Sequence, residues 1–417
     1  MKLVWAGPWN RRSAIATMGS EVVHELVSRG HEVEVLRTEA GPDLDLPPLP
    51  APGEVAAVAE REIGQLAYQA DGMIVNIGDH YGFHGGAIPL LLHAAPLLIL
   101  HDAEMGGFAH GWRQAAGGEA WRVDRLAGHE GAVAPYCALA SGVVVHSAHY
   151  RAVADASCAG PVATIPLCWP PLEPPPRHAG GRLVITTVGQ VNRNKRADEV
   201  IRAIGASARL RERVLYVLAG QVEDAERERL LTLARRVGAP APVFLGWVPD
   251  EVLRMVMSGT DVVSCLRYPA LEGGSASLIL AMFSGHPTLV SDHASYAEVP
   301  DGLVLKCPPG HEAAAVLRHL ETILDDLAAA RAMGEQSRAY ALAQHAPAAY
   351  VDRLLPALEA ATLAQPAVRT SIAIGRRLSE LGIIAGDPAA GRLGDVLAAM
   401  LAEPPAQGRA ERVGSNQ

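Results

Sequence analysis

The sequence predicts an α/β protein built from two doubly wound domains in tandem that face a cleft, with a helical C-terminal extension. Three observations predict it. Short apolar runs alternate with helix-period segments up to Ile165, a proline-rich stretch then interrupts them, and the same alternation starts again at Leu183.

The first series opens with an apolar run at 3–6, a Gly7-Pro8-Trp9-Asn10 turn, and Ile15, Met18, Val22 and Leu26 at helical spacing. Ser13 can accept from the free N–H groups at the start of that helix, and Gly30 can end it. A strand at 32–36 completes a strand-helix-strand unit, the building block of a parallel sheet. Apolar runs at 73–77, 97–100, 143–145 and 162–165 continue the pattern.

Prolines crowd the stretch 168–181, which can continue neither a helix nor a central strand, so it reads as a domain linker. Strands are then expected at 183–188, 214–219, 243–246, 261–266 and 288–291, with helices at 197–206, 224–236, 250–257 and 275–283 between them. After Glu312 the chain is Ala- and Leu-rich and helical. Residues 347–361 are expected to cross back to the first domain, followed by amphipathic segments near 371–381 and 393–401 and a loose polar end beyond Pro404. The expected units are 1–175, 176–345 and 346–417.

Length and composition agree. At roughly 150 residues per domain, 417 residues hold two to three domains, and 49% hydrophobic against 19% charged residues excludes a disordered chain. With 36 Lys+Arg against 45 Asp+Glu the net charge is −9, which argues against a nucleic-acid binder working by broad attraction. Any phosphate must be held locally. Lysine occurs only at Lys2, Lys195 and Lys306, and arginine supplies every other cation.

The cysteines Cys137, Cys158, Cys168, Cys265 and Cys307 are scattered, without zinc-ligand spacing, which suits a reducing compartment and no structural metal. The longest apolar stretch, 87–100, contains Pro89, His93 and Pro96 and falls short of the ~20 residues of a spanning helix. The first ten residues lack a signal-peptide layout. The expected location is the cytoplasm, with peripheral membrane contact compatible and no transmembrane segment.

Two loops carry chemistry. After the strand ending at Gly189, a short polar loop delivers Lys195 and Arg196 to a helix start, where free N–H groups and an ammonium together suit a diphosphate. After Cys265, the segment Leu266-Arg267-Tyr268-Pro269 leads to Glu272, Gly273, Gly274 and the serine cap Ser275 before another helix. That is a second anion cradle. The carboxylate of Glu272 would repel a phosphate, so it suits sugar hydroxyls better.

These loops resemble the C-terminal half of retaining glycosyltransferases of the GT-B architecture, two Rossmann-like domains, and in particular bacterial members of family 4, the glycosyl transferases group 1. Gly189 and Lys195 keep that family's spacing, Glu272 keeps its first carboxylate, and 244–250, 287–292 and Glu298 resemble the segments that frame the nucleobase and close the site. In the first half, Gly7 with Asn10, Asn76 to His84, and Leu100-His101-Asp102 look like the family's other motifs.

The resemblance implies catalytic roles for His101, Lys195 and Glu272. It implies donor binding by Gly7, Gly189, Asn192, Arg196, Trp247, Val248, Gly273, Gly274, Ser275, Ala276 and Ser277, and sugar or acceptor contacts for His84 and Asp102. His80 reads as surface. The co-substrate implied is a UDP- or GDP-sugar, with no cofactor and no metal, and the acceptor a carbohydrate, lipid-linked or small molecule. The only Asp-x-Asp triplet, Asp43-Leu44-Asp45, sits in a Pro-rich loop rather than after an apolar strand.

Two positions depart from the family. Leu280 stands where a second glutamate usually holds the nucleotide ribose, and it can accept no hydrogen bond. Gln190 follows Gly189 where arginine is common, so Arg193 or Arg196 is expected to replace the lost cation. These departures leave a non-catalytic sugar-nucleotide-binding or partner-activating subunit as the alternative. A dinucleotide dehydrogenase lacks its Gly-x-Gly-x-x-Gly. Acceptor contacts are expected within 105–137, among His110, Trp112 and Trp121.

Overall fold

Seven strands form the first sheet: β1 (Lys2–Gly7), β2 (Glu32–Arg37), β3 (Val55–Ala57), β4 (Gly72–Ile77), β5 (Leu97–Leu100), β6 (Gly142–Val145) and β7 (Val162–Thr164). Six form the second: β8 (Leu183–Val188), β9 (Val214–Ala219), β10 (Val243–Gly246), β11 (Val262–Cys265), β12 (Thr288–Ser291) and β13 (Leu305–Cys307). The computed structural model describes residues 1–116, 132–173, 181–383 and 387–401.

The strand orders are β3-β2-β1-β4-β5-β6-β7 and β10-β9-β8-β11-β12-β13, and the pairings between them are parallel. Each order reverses once, between β1 and β4 and between β8 and β11. Loops leaving the strand ends on either side of such a reversal diverge and leave a crevice, where doubly wound folds bind ligands. The segments that carry the sequence motifs leave these strands and their neighbours.

Helices cover both faces, which is why β4, β5 and β6 are buried along their whole length and read as unbroken apolar runs. The helix Ala14–Ser28 buries Met18, Val22 and Leu26, and Ser13 Oγ accepts from the N–H of Ala16 at 3.3 Å. Strand and helix bounds in the second half follow the expected alternation to within a residue or two. Ser275 is the cap of Ala276–Phe283, accepting from the Leu278 N–H.

The sequence reading missed β3 and β13. Each is a three-residue strand at or near a sheet edge, too short to show a period. The tail also differs from expectation: Pro347–Glu380 is one 34-residue helix, so the segment near 371–381 is its last turns and not a separate element. Pro356 and Pro366 lie inside it. Each removes one backbone donor, but Tyr350, Val351, Leu354, Leu358 and Ala361 line a buried stripe against the first domain, and that burial outweighs the lost bonds. The second tail helix, Pro388–Leu401, matches the expected segment.

Among the described residues no helix is long and apolar enough to cross a membrane, and all five cysteines are free thiols. Leu358 anchors the returning helix: it is 3% exposed and packs so closely on Gly72 that a Cβ there would lie 2.9 Å from its methyl carbon. Leu358→Ala is expected to cost the first domain about 2–5 kcal/mol, read as a shift of its urea midpoint. Leu363→Ala, at an 84% exposed position of the same helix, should leave the midpoint unchanged.

Candidate active site

The two crevices meet through backbone hydrogen bonds. Residues 101–103, after β5, pair in antiparallel fashion with residues 271–273, after β11: Gly273 N–H donates to the His101 carbonyl at 2.8 Å, and Ala103 N–H to the Leu271 carbonyl at 3.0 Å. Only glycine fits at 273, because a Cβ would lie 2.1 Å from Tyr150 Oη of the first domain. Glu298 adds a second tie, its carboxylate accepting from the Ala148 and His149 N–H groups at 3.0 and 2.8 Å. The seam encloses a cavity of about 120 Å³ whose lining includes Ile15, His101, Asp102, His146, Glu272 and Ala276.

Glu272 is fixed from two sides. Arg267 Nε lies 2.8 Å from its Oε1, and the Tyr296 hydroxyl donates to the same oxygen at 2.8 Å. Burial alone would raise this carboxyl, but Arg267 and the hydrogen bonds outweigh it and hold the pKa below the ordinary value. It is an ionised acceptor aimed at a cavity.

Lys195 lies under the end of β8. Its Nζ donates to the Val188 carbonyl at 2.6 Å and to Ser277 Oγ at 3.5 Å, and Ser277 Oγ is 3.2 Å from the cap Ser275. Gly189, at φ +94°, leaves room for it, since a Cβ there would sit 3.2 Å from the ammonium. Burial, with Arg267 as a nearby like charge, lowers the Lys195 pKa to about 8. Two of three ammonium donors are used, so one remains for a ligand oxygen beside the start of Ala276–Phe283.

The guanidinium close to Lys195 and Glu272 is that of Arg267. Arg196 is matched by Glu199 at 3.1 Å and Glu312 at 3.4 Å, while Gln190, Asn192 and Arg193 face solvent. Trp247 is 75% exposed and Val248 half-buried, on the open surface after β10. Asp43 lies 4.0 Å from Arg12.

His101 reaches the cavity from the first domain with both ring nitrogens engaged, Nε2 by Asn76 Oδ1 at 3.0 Å and Nδ1 by His146 Nε2 at 3.1 Å. Gly7 abuts Asn76 at the end of β1. His84 lies deeper: burial pushes it down to about 3, and its Nδ1 meets the Asn76 carbonyl at 3.2 Å. Asp102 accepts from the Asp79 N–H at 2.8 Å, and burial with the charges of Asp79 and Glu272 pushes its carboxyl up to about 7. His80 is exposed and accepts from the Phe83 N–H.

Sequence reasoning missed His146, Tyr296 and the role of Arg267. A signal for His146 exists: β5 and β6 pair with Leu100 opposite Val145, so the next residues of each strand, His101 and His146, fall side by side. Of the expected acceptor contacts, Trp112 packs on the first-domain core, His110 is exposed, and Trp121 lies outside the described residues.

Residues 172–340 match the family model described as Glycosyl transferases group 1. Match and fold together support a glycosyltransferase. The chain is similar in fold to sucrose-phosphate synthase from Thermosynechococcus elongatus, with TM-score 0.63, 16% identity, and 85% of this chain and 98% of that one covered. It is also similar to Alr3699/HepE from Anabaena, solved with UDP and glucose, with TM-score 0.60, 15% identity and 86% and 99% coverage. A third is WaaG, a glycosyltransferase involved in lipopolysaccharide biosynthesis, with TM-score 0.53, 15% identity and 86% and 99% coverage. Comparison with the curated proteins finds no match. The architecture is thus GT-B, with the helical extension added.

A pH dependence follows from Lys195. Its cation persists below about 8 and is lost as pH rises through that value, so affinity for inorganic pyrophosphate should fall across that range. Calorimetric titration of the wild type and of Lys195→Arg checks this; the variant, always charged, should lose the inflection.

Proposed function

We propose that the chain is a retaining, metal-independent hexosyltransferase that moves a sugar from a nucleoside-diphosphate donor to an acceptor hydroxyl, in the manner of bacterial glycosyltransferase family 4. One observation carries this reading. Lys195, Arg267 and the start of Ala276–Phe283 gather charge and N–H donors around Glu272, and His101 of the other domain closes on the same cavity.

Breaking the donor's glycosidic bond puts negative charge on the leaving diphosphate. Lys195, Arg267 and the N–H groups of Ala276 and Ser277 are already in place to meet it, so little reorganisation is needed as the charge develops. These fixed cations do the work a divalent metal would otherwise do. Glu272, which can only accept, takes hydrogen bonds from sugar hydroxyls. The acceptor hydroxyl attacks from the face the diphosphate leaves, and the leaving phosphate oxygen takes its proton, so the anomeric configuration is kept. With both ring nitrogens of His101 engaged, that residue acts through its ring edge and its field.

The complex of HepE with UDP and glucose makes UDP-sugars the first donors to test, with GDP-sugars next. The acceptor is a carbohydrate, lipid-linked or small molecule, met in the cytoplasm or at its membrane face. Leu280 favours a second reading, a sugar-nucleotide-binding subunit without transferase activity, because it offers the ribose no acceptor.

A thermal-shift panel of UDP-, GDP-, dTDP- and ADP-sugars should give a rise with one base. Lys195→Ala should then lower kcat about a hundredfold or more, and saturating chelator should leave the rate unchanged. Wild-type turnover by Lys195→Ala would remove the phosphate assignment; binding without transfer to any acceptor would favour the second reading.

A further inference from the structure

Behind the cavity wall three polar side chains run in series between two backbone carbonyls. His146 Nδ1 lies 3.0 Å from the Ile165 carbonyl oxygen, and His146 Nε2 lies 3.1 Å from His101 Nδ1. His101 Nε2 lies 3.0 Å from Asn76 Oδ1, and Asn76 Nδ2 donates to the Ala6 carbonyl at 3.0 Å.

The protons in this series do not close. Both ends can only accept, whereas a neutral imidazole carries one N–H and one lone pair, and an amide set between two neighbours donates to one and accepts from the other. If His146 donates to Ile165, its Nε2 must accept from His101, whose own Nε2 is then a lone pair facing the Asn76 oxygen. Turning the Asn76 amide only moves the mismatch to the Ala6 carbonyl. If the order is instead set from Ala6, the unpaired acceptor is His146 Nδ1, facing Ile165. Every neutral arrangement leaves one acceptor against another, and a single added proton removes it.

We propose that His146 is the positioning residue for His101, and that the two rings jointly take up one proton from solvent when an anionic diphosphate fills the adjoining cavity. The identity of the anion rests on the function proposed above. The protein's own groups oppose the charge: burial lowers both rings, His146 to about 4, and His84 beside His101 and His345 beside His146 discourage it further. Tyr150 Oη accepts the His146 backbone N–H, and the Tyr350 ring lies 6.3 Å away. From the second domain Glu272 shares the cavity with both rings and Glu298 lines the space next to His146; from the first, Asp102 flanks His101 in sequence.

An anion tips the balance because His101, His146, Gly274 and Ala276 line one cavity, so its charge arrives in the low-dielectric space that the rings themselves border. The pair then meets the leaving group as an imidazolium held at both ends. That accounts for a histidine at a reaction centre with no free nitrogen.

The test is calorimetry of UDP and of GDP binding to the full chain in buffers of different ionisation enthalpy. The wild type should take up about one proton more on binding than His146→Leu, which cuts the series, so that a neutral His101 can donate to Asn76 with no acceptor facing its Nδ1. Lys195 and Asp102 are present in both proteins, so their proton changes cancel. On the wild type alone, nitrogen-15 NMR of labelled histidines should show a ring with both nitrogens protonated only in the nucleotide-bound form. Nucleotide binding with equal proton counts, or bound rings that stay neutral, overturns the inference. Failure of both nucleotides to bind overturns the diphosphate reading and the trigger together.

Discussion

The hydrogen bond from the Gly273 N–H to the His101 carbonyl is the contact on which the rest of the site depends. It joins the loop after β5 of one sheet to the loop after β11 of the other, and β11 stands at the reversal of its strand order. Together with the Ala103–Leu271 bond and the Glu298 tie, it fixes the separation of Glu272 and His101, which belong to separate domains. It also explains the glycine, since Tyr150 occupies the space a side chain would need, and Tyr150 is itself held by donating to the Leu100 carbonyl at 2.7 Å. The restriction at 273 is therefore steric and reaches across the seam.

Charge is arranged around that contact by pairing rather than by excess. The chain is acidic overall, yet Lys195 and Arg267 stand close enough for each to disfavour the other, and Glu272 lies between the roles of partner and ligand group. Arg267 holds Glu272 ionised despite burial, and Ser277 and the Val188 carbonyl hold Lys195 in place. Arg196, the more obvious candidate in the sequence, hydrogen-bonds Glu199 and lies 3.4 Å from Glu312. A cation's position in a motif does not say which carboxylate it will find first.

The first domain contributes a different kind of order. His84, His101 and His146 are buried and their pKa values lowered, and His101 and His146 lie in one chain of hydrogen bonds anchored on backbone carbonyls. The helix Pro347–Glu380 stabilises this domain from behind, placing Tyr350 against His146 while its far turns lie over β4 and β6. The start of the linker is tied nearby, with Trp169 N–H donating to the His345 carbonyl at 3.0 Å. Chain segments distant in sequence thus set the surroundings of one imidazole pair.

By itself the sequence determined the alternation of strands and helices, the linker, and the two loops bearing Lys195 and Glu272. Each of these rests on local physics: apolar period, proline's missing donor, and glycine and serine at helix starts. It did not reach β3, β13 or the unbroken helix through Pro356 and Pro366, because short edge strands carry no period and tertiary burial overrides a local penalty. Nor did it show that Arg267 rather than Arg196 faces Glu272, or that His146 stands beside His101. Those were decided only when β5 came to pair with β6 and one sheet's loops met the other's, since partner choice among charged and polar groups depends on distance in space and not on spacing along the chain.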